Sequence, residues 1–117
     1  MSYKIVGVLF RIHSALGSGY QEKYYQKAIA TELKKQNISF KEQVCVPLMY
    51  SGESIGRYFI DFVINEKIIL EIKAAQKFYA RDIRQVLAYL KQSDIQLGIV
   101  ANFGKEKLEY KRILKGK

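Results

Sequence analysis

The chain has 117 residues, 49% of them hydrophobic and 26% charged, which predicts one folded domain spanning 1–117. Twenty lysines and arginines against eleven acidic residues give a net charge of +9, which favours a nucleic-acid partner but also fits basic residues that only coat the surface. The apolar runs are too short to cross a bilayer, and one cysteine with one histidine argues against disulfides and zinc fingers, so we expect a cytoplasmic protein.

Two amphipathic helices are predicted at the start of the chain. Apolar residues recur at helical spacing over 2–16, and a glycine-containing break follows at 17–19. A second helix is predicted over 20–36, with Asn37 at its end.

The hydrophobic period then changes to two, which predicts strands. Alternating side chains indicate a strand over 44–50, in which Pro47 favours a sheet edge or a bulge. Further strands are predicted over 55–64 and 68–73. Because so few residues separate these two strands, they should pair as an antiparallel hairpin.

A third helix and a return to the sheet are predicted in the last third of the chain. The apolar stripe indicates a helix over 80–92, and the run 95–101 has the length of a strand. A strand reached through a helix tends to lie parallel to its neighbour. The tail adds a short strand through Leu108 and Tyr110. This order predicts a mixed sheet with helices packed on it.

Three charged residues of the predicted hairpin carry the most chemical information. Asp61 lies in an apolar stretch, where an ionised carboxylate is unfavourable unless something compensates it. Glu71 and Lys73 are two residues apart on the next strand and share a face. A three-residue loop at 65–67 places Asp61 opposite Glu71, whereas a two-residue loop places it opposite Leu70. The sequence leaves both registers open.

Two carboxylates that converge in apolar surroundings favour a divalent cation between them. Magnesium takes oxygen ligands, often one or two carboxylates with waters, and the main-chain carbonyl of Ile72 would add another oxygen. Lys73 would then lie beside a metal-bound water, which it could orient or help to deprotonate. In the competing interpretation, Glu71 and Lys73 form a surface ion pair and Asp61 caps a turn.

The second and third helices add two further candidates. Glu22 shares a helical face with Tyr25 and could bring another carboxylate to a metal, or it is a solvated glutamate near a helix start. Gln85 could bind a phosphate or a metal-bound water, or it is an ordinary exposed glutamine. His13, on the first helix, is interpreted as structural.

Basic and aromatic residues around the third helix are candidate contacts to nucleic acid. Phosphate contacts of this kind position a nucleic acid without reading its sequence, and a solvated basic face explains the same residues equally well. Phe78 and Tyr79 could stack on bases or belong to the core. The basic candidates are Lys77, Arg81, Arg84 and Lys91.

These residues together resemble a known family. Residues 19–25 read Gly-Tyr-Gln-Glu-Lys-Tyr-Tyr and match the Gly-x-x-Glu-x-x-Tyr signature of the GxxExxY proteins, which are placed in the PD-(D/E)XK nuclease superfamily. Ile60 stands where the superfamily name has proline, a departure that removes no ligand. The stretches 102–104 and 111–113 resemble the C-terminal pattern of the family. The matches to the superfamily motif are Asp61 at its first acidic position, Glu71-Ile72-Lys73 as its Glu-x-Lys, and Gln85 as the glutamine of the following helix.

The resemblance implies a restriction-endonuclease-like α/β/α sandwich around a mixed sheet of about four strands. It also implies an endo- or exonuclease that hydrolyses phosphodiester bonds with magnesium or manganese, and we expect DNA as its substrate. Lys73 would position the attacking water, and Gln85 would help to orient the lysine or the substrate. The implied metal ligands are Asp61, Glu71, the carbonyl of Ile72 and, completing or supporting the site, Glu22.

Three functions fit the sequence. A metal-dependent nuclease is favoured by the acidic residues and lysine on a basic chain. The alternatives are a catalytically silent module of the same fold that binds nucleic acid, and an interaction protein in which the charged residues form only ion pairs. The small size predicts low sequence specificity, a homodimer, or a partner that supplies targeting, and the sequence favours none of these three.

Overall fold

The computed structural model describes residues 1–76 and 80–116, and that part of the chain contains three helices and five strands. Every predicted helix and strand is present, with bounds that differ from the prediction by a few residues at most, and the tail strand includes Tyr110 but not Leu108. The elements are α1 (Ser2–Leu16), α2 (Glu22–Lys35), β1 (Phe40–Tyr50), β2 (Glu53–Ile64), β3 (Ile68–Lys73), α3 (Ala80–Gln92), β4 (Leu97–Asn102) and β5 (Glu109–Leu114). None of the described helices is long and apolar enough to cross a membrane.

The five strands form one mixed sheet in which spatial order follows chain order. Strand β3 runs parallel to β4, and the other neighbouring pairs are antiparallel. The parallel pair is connected through α3, as a crossover requires. The mixed sheet is therefore confirmed, with five strands where about four were expected, because β5 pairs with β4 along its whole length.

Helices cover both faces of the sheet and enclose two apolar clusters. On one face, α1 and α2 pack through residues such as Leu9 and Ile29 against the side of the sheet that carries Phe62. On the other face, α3 packs through Val86 against the side that carries Ile69. This arrangement confirms the predicted α/β/α sandwich, because a sheet buried on both faces needs helices on each side.

Strand β1 is an edge of the sheet and contains Pro47. The pairing of β1 with β2 shifts between Leu48 and Met49. Both observations agree with the prediction from Pro47, because proline cannot donate to the ladder and is tolerated at edges and irregularities.

The last residue of β4, Asn102, forms hydrogen bonds with the segment that follows β3. The buried Asn102 side chain accepts hydrogen bonds of 3.0 Å from the N–H groups of Ala75 and Gly104, and donates one of 2.9 Å to the Ala75 carbonyl. A Cβ at Gly104 would lie 2.4 Å from the main chain of Ala75, so only glycine fits there. These contacts fix the chain just beyond Lys73.

Candidate functional site

The connection between β2 and β3 decides how the predicted site residues meet. Ile64 pairs with Ile68, which makes 65–67 a three-residue loop. Asn65 and Glu66 both adopt left-handed conformations, with φ of 52° and 54°. Continuing this register places Asp61 opposite Glu71, so the first of the two registers considered from the sequence is the one adopted.

Carboxylate oxygens take the place of main-chain carbonyls where the β2–β3 ladder ends. The Asp61 N–H donates a hydrogen bond of 2.7 Å to Oε1 of Glu71. The Ile72 N–H donates another of 2.7 Å to Oδ2 of Asp61. The two acids are therefore held at the point where the strands separate.

The alternation of side chains along β2 slips by one residue at Asp61. Ile60 and Val63 both belong to the cluster under α3, whereas Phe62 belongs to the cluster under α1 and α2. Strict alternation would place Ile60 on the same face as Phe62. Because of this slip, Asp61 reaches both the neighbouring strand β3 and helix α2.

Two glutamines complete the surroundings of Asp61. Its Oδ1 accepts a hydrogen bond of 3.0 Å from Nε2 of Gln26 and a longer one of 3.4 Å from Nε2 of Gln43. Neither glutamine is among the site residues predicted from the sequence. The available signal was that Gln26 follows Glu22 by four residues and so shares its helical face.

Burial makes both carboxyl groups of the pair weak acids. Asp61 is 9% exposed and Glu71 is 5% exposed. Burial raises the pKa of Asp61, although the hydrogen bonds from Ile72 and Gln43 oppose the rise. Burial and the neighbouring charge of Asp61 raise the pKa of Glu71 to about 8. Without a cation, Glu71 is therefore largely protonated at neutral pH.

Lys73 lies two residues after Glu71 on the same face of β3. It forms an ion pair with Asp82, in which Nζ of Lys73 lies 3.3 Å from Oδ1 of Asp82. Burial lowers the pKa of Lys73, but the carboxylates of Asp82, Glu22 and Glu71 outweigh it, so the net direction is upward. Lys73 is consequently an ammonium group at neutral pH. Asp82 was not identified from the sequence, because an acid in the first turn of a helix is usually solvated.

Glu22 is the first residue of α2 and is half-buried. Its charge raises the pKa of both Asp61 and Lys73, which places it within electrostatic range of the pair. The structure therefore brings Asp61, Glu71, Ile72 and Lys73 together, with Glu22 beside them.

The Gly-x-x-Glu-x-x-Tyr stretch has a visible structural basis. Gly19 has a φ of 106°, which favours glycine. The buried Tyr25 donates a hydrogen bond of 2.6 Å to the carbonyl of Gly17 and stacks on Phe103 at 4.6 Å between ring centroids. These contacts fix the turn between α1 and α2, and with it the position of Glu22.

Gln85 lies on α3, near the β1–β2 hairpin. Its main-chain carbonyl accepts a hydrogen bond of 2.9 Å from the Tyr58 hydroxyl. Among the described residues, no hydrogen bond joins its side chain to Asp61, Glu71 or Lys73. Gln85 instead lines a groove between α3 and the β1–β2 hairpin, with a cavity of about 300 Å³. The other residues that line this groove are Leu48, Tyr58, Arg81, Arg84 and Ala88.

The remaining candidates have different outcomes. Lys91 is exposed on α3, while Lys77, Phe78 and Tyr79 lie outside the described residues. Nε2 of His13 lies 2.9 Å from the carbonyl of Lys105, which agrees with its structural interpretation.

The donor atoms between β2 and β3 suit a hard divalent cation. No group of three or more histidine, cysteine, aspartate or glutamate side chains could hold a metal within 1–76 and 80–116. Magnesium needs only one or two carboxylates when waters complete its shell. The Ile72 N–H points toward β2, and because the N–H and C=O of a strand residue face the same neighbour, its carbonyl does so too. Asp61 and Glu71 thus each accept a hydrogen bond from the opposite strand, and the Ile72 carbonyl faces β2.

Comparison with known proteins gives a family match and one informative structural likeness. A family model described as the PD-(D/E)XK nuclease superfamily matches residues 1–113. No curated protein matches the chain significantly. The crystal structure of SSO0001 is similar, with a TM-score of 0.59 and 18% identity over 82% of this chain and 51% of that one. The chain thus spans about half the length of that structure, and the likeness is one of fold.

Proposed function

The chain belongs to the PD-(D/E)XK nuclease superfamily, and on that premise we propose that it is a metal-dependent nuclease that hydrolyses phosphodiester bonds in DNA. Its Gly-x-x-Glu-x-x-Tyr stretch leads us to place it among the GxxExxY proteins, as a single domain over 1–117. The observation that carries the proposal is the hydrogen-bonded pair of Asp61 and Glu71 with Lys73 beside it.

In this proposal, Asp61, Glu71 and the Ile72 carbonyl hold Mg²⁺ or Mn²⁺, and Glu22 completes or supports the site. A bound cation would offset the charge that develops on the phosphoryl oxygens and favour ionisation of a water. It would also remove the repulsion that raises the pKa of Glu71. The oxygen-only donor set and the burial of the pair support this assignment.

The chain's own residues would position the reactants. The Lys73 ammonium would donate a hydrogen bond that orients the attacking water, because it shares the strand face of Glu71. Gln85 is proposed to help orient Lys73 or the substrate, and it lines the groove beside α3. The metal-binding and water-orienting groups thus come from β2 and β3, and the substrate-binding groups from α3.

The charge distribution supports nucleic acid as the substrate. The net charge is +9, and Arg81 and Arg84 line the groove that contains Gln85. Arginines in such a position suit phosphate groups through bidentate hydrogen bonds. We propose that a homodimer or a targeting partner contributes to recognition of the substrate.

A catalytically silent nucleic-acid-binding or interaction module of the same fold is the second candidate. It is favoured by the ion pair that engages Lys73 and by the lack of a three-acid cluster in the described part of the chain. This candidate predicts salt-sensitive binding to nucleic acid that survives Asp61→Ala and Glu71→Ala.

Cleavage assays separate the two candidates. Purified protein with Mg²⁺ or Mn²⁺ should cleave end-labelled single- or double-stranded DNA, or RNA, and Glu71→Ala and Lys73→Ala should reduce the rate by about 100-fold or more. The exposed Glu53→Ala and Lys34→Ala serve as matched controls and should cleave normally. No cleavage above the Glu71→Ala background on any substrate would contradict the nuclease proposal.

A further inference from the structure

The ion pair between Lys73 and Asp82 joins the candidate site to helix α3. Oδ1 of Asp82 lies 3.3 Å from Nζ of Lys73, and the Asp82 side chain is only 3% exposed. The Lys73 side chain is 24% exposed. The contact therefore lies under the helix and is shielded from solvent on the Asp82 side.

The position of Asp82 in helix α3 accounts for a negative charge there but not for the burial of its carboxylate. Asp82 lies in the first turn of α3, where an acidic residue interacts favourably with the helix dipole even when it is solvated. Its second oxygen, Oδ2, is buried without a hydrogen-bond partner among the described residues. Burying a carboxylate in this way is unfavourable unless a charged partner compensates it, and Lys73 is the partner that the structure provides.

Lys73 would otherwise have considerable freedom. Its side chain has four rotatable bonds, and one face of it borders solvent. Glu71 is two residues earlier on the same strand face, but among the described residues no ion pair joins it to Lys73, whose ion pair is with Asp82. A fixed anion on α3 is thus the contact that limits where the ammonium can lie.

We propose that Asp82 is a positioning residue that holds the ammonium group of Lys73 beside the Asp61–Glu71 pair. This inference rests on the proposed function for its catalytic meaning, and on the ion pair and its burial for its structural meaning. It assigns to α3 a role that the family motif, which contributes Gln85 from this helix, does not include. Pre-organised side chains of this kind reduce the reorganisation needed during reaction.

The position of Lys73 can be measured without any activity. The full chain is acylated with an N-hydroxysuccinimide acetate, and each lysine is followed by peptide mass spectrometry. Lys73 should react several-fold more slowly than the exposed Lys34 in the wild type, and several-fold faster in Asp82→Asn with the other lysines unchanged. Asp82→Glu should restore part of the protection, and the exposed Asp94→Asn should change nothing. Equal labelling of Lys73 and Lys34 in the wild type would overturn the inference even if Asp82→Asn failed to fold.

The kinetic test asks whether Asp82 acts through Lys73. Asp82→Asn should lower kcat with little change in KM, and should add little to the loss caused by Lys73→Met. Cleavage by Asp82→Asn at the wild-type rate would overturn the inference. A wild-type chain that cleaves nothing would overturn the proposed function instead, while the labelling would still decide whether Asp82 holds the amine.

Discussion

The main-chain N–H of Asp61 donates a hydrogen bond of 2.7 Å to Oε1 of Glu71 at the point where strands β2 and β3 separate. The Ile72 N–H returns a bond of the same length to Asp61, so each acid braces the strand opposite its own. The strand ends thus hold two carboxyl groups close together in a buried setting, which the fold tolerates by keeping Glu71 protonated. Four predictions follow from this arrangement and from the contacts around it.

Replacing Glu71 by glutamine should change how stability depends on pH. The pKa of Glu71 is raised from 4.5 to about 8 in the folded chain, so the folded state binds a proton that the unfolded state releases. The contribution of Glu71 to stability is therefore fully present below pH 4.5 and is lost as the pH rises to about 8. Glutamine keeps the acceptor for the Asp61 N–H but cannot ionise. Without divalent cations, the Tm of Glu71→Gln should exceed that of the wild type by about 10 °C or more near pH 8, because a pKa shift of this size corresponds to several kcal/mol.

Circular-dichroism melts in a chelating buffer check this prediction. The difference in Tm between Glu71→Gln and the wild type should shrink toward acidic pH. The Tm of Glu53→Gln, a change at an exposed residue of the β1–β2 hairpin, should depend on pH as that of the wild type does. Parallel curves for Glu71→Gln and the wild type would show that Glu71 has an ordinary pKa in the folded chain.

Divalent cations should stabilise the wild type through Asp61. A ligand that binds the folded state alone raises stability by about 2.7 kcal/mol at 100 times its Kd, which for a chain of this size corresponds to a Tm increase of about 10 °C. Mn²⁺ should produce such an increase in the wild type, a chelator should reverse it, and Asp61→Asn should abolish it. The exposed Asp94→Asn should respond like the wild type. An equal response from Asp61→Asn would place the cation elsewhere.

Glu22 should support the cation rather than determine its binding. It is half-buried at the start of α2, and its charge acts on Asp61 and Lys73. Glu22→Gln should weaken Mn²⁺ affinity by about tenfold, which is less than the effect of Asp61→Asn. Isothermal titration calorimetry with Mn²⁺ compares the affinities of the wild type, Glu22→Gln and Asp61→Asn. Affinity unchanged in Glu22→Gln would remove Glu22 from the site.

The contact between Gly104 and Ala75 should be intolerant of a single methyl group. A Cβ at Gly104 would lie 2.4 Å from main-chain atoms of Ala75, whereas one at Gly56 meets nothing within 4 Å. Gly104→Ala should therefore destabilise the chain by about 2 kcal/mol, because main chain rather than a flexible side chain has to move. Gly56→Ala should leave stability nearly unchanged. Urea denaturation compares them, and equal stability of the two variants would contradict the packing of this segment.

The sequence was sufficient to predict much of the fold because periodicity is a local property. The spacing of apolar residues identified α1 and α3 with the bounds that the structure shows, and the connection through α3 predicted the parallel pair. The register at Asp61 was not determined by the sequence. It depends on left-handed conformations at Asn65 and Glu66, and glutamate has no intrinsic preference for that region.

The surroundings of the site were less predictable, because they depend on packing between distant elements. Asp82 is buried only because α3 lies over the end of β3, and Gln26 reaches Asp61 only because α2 covers the opposite face. Gln85 was expected to help orient Lys73 or the substrate, and the structure shows that it lines the groove beside α3. Residue types and spacing therefore identified the acids, while their hydrogen-bond partners required the tertiary structure.

The most direct test of the proposed metal site is a crystal structure of the wild-type chain grown with Mn²⁺, in which anomalous difference density locates the ion. We expect one strong peak within coordination distance of Asp61, Glu71 and the Ile72 carbonyl, with the Lys73 amine nearby. A Mn²⁺ peak at other residues, or no peak between β2 and β3 at saturating Mn²⁺, would contradict the proposed metal site.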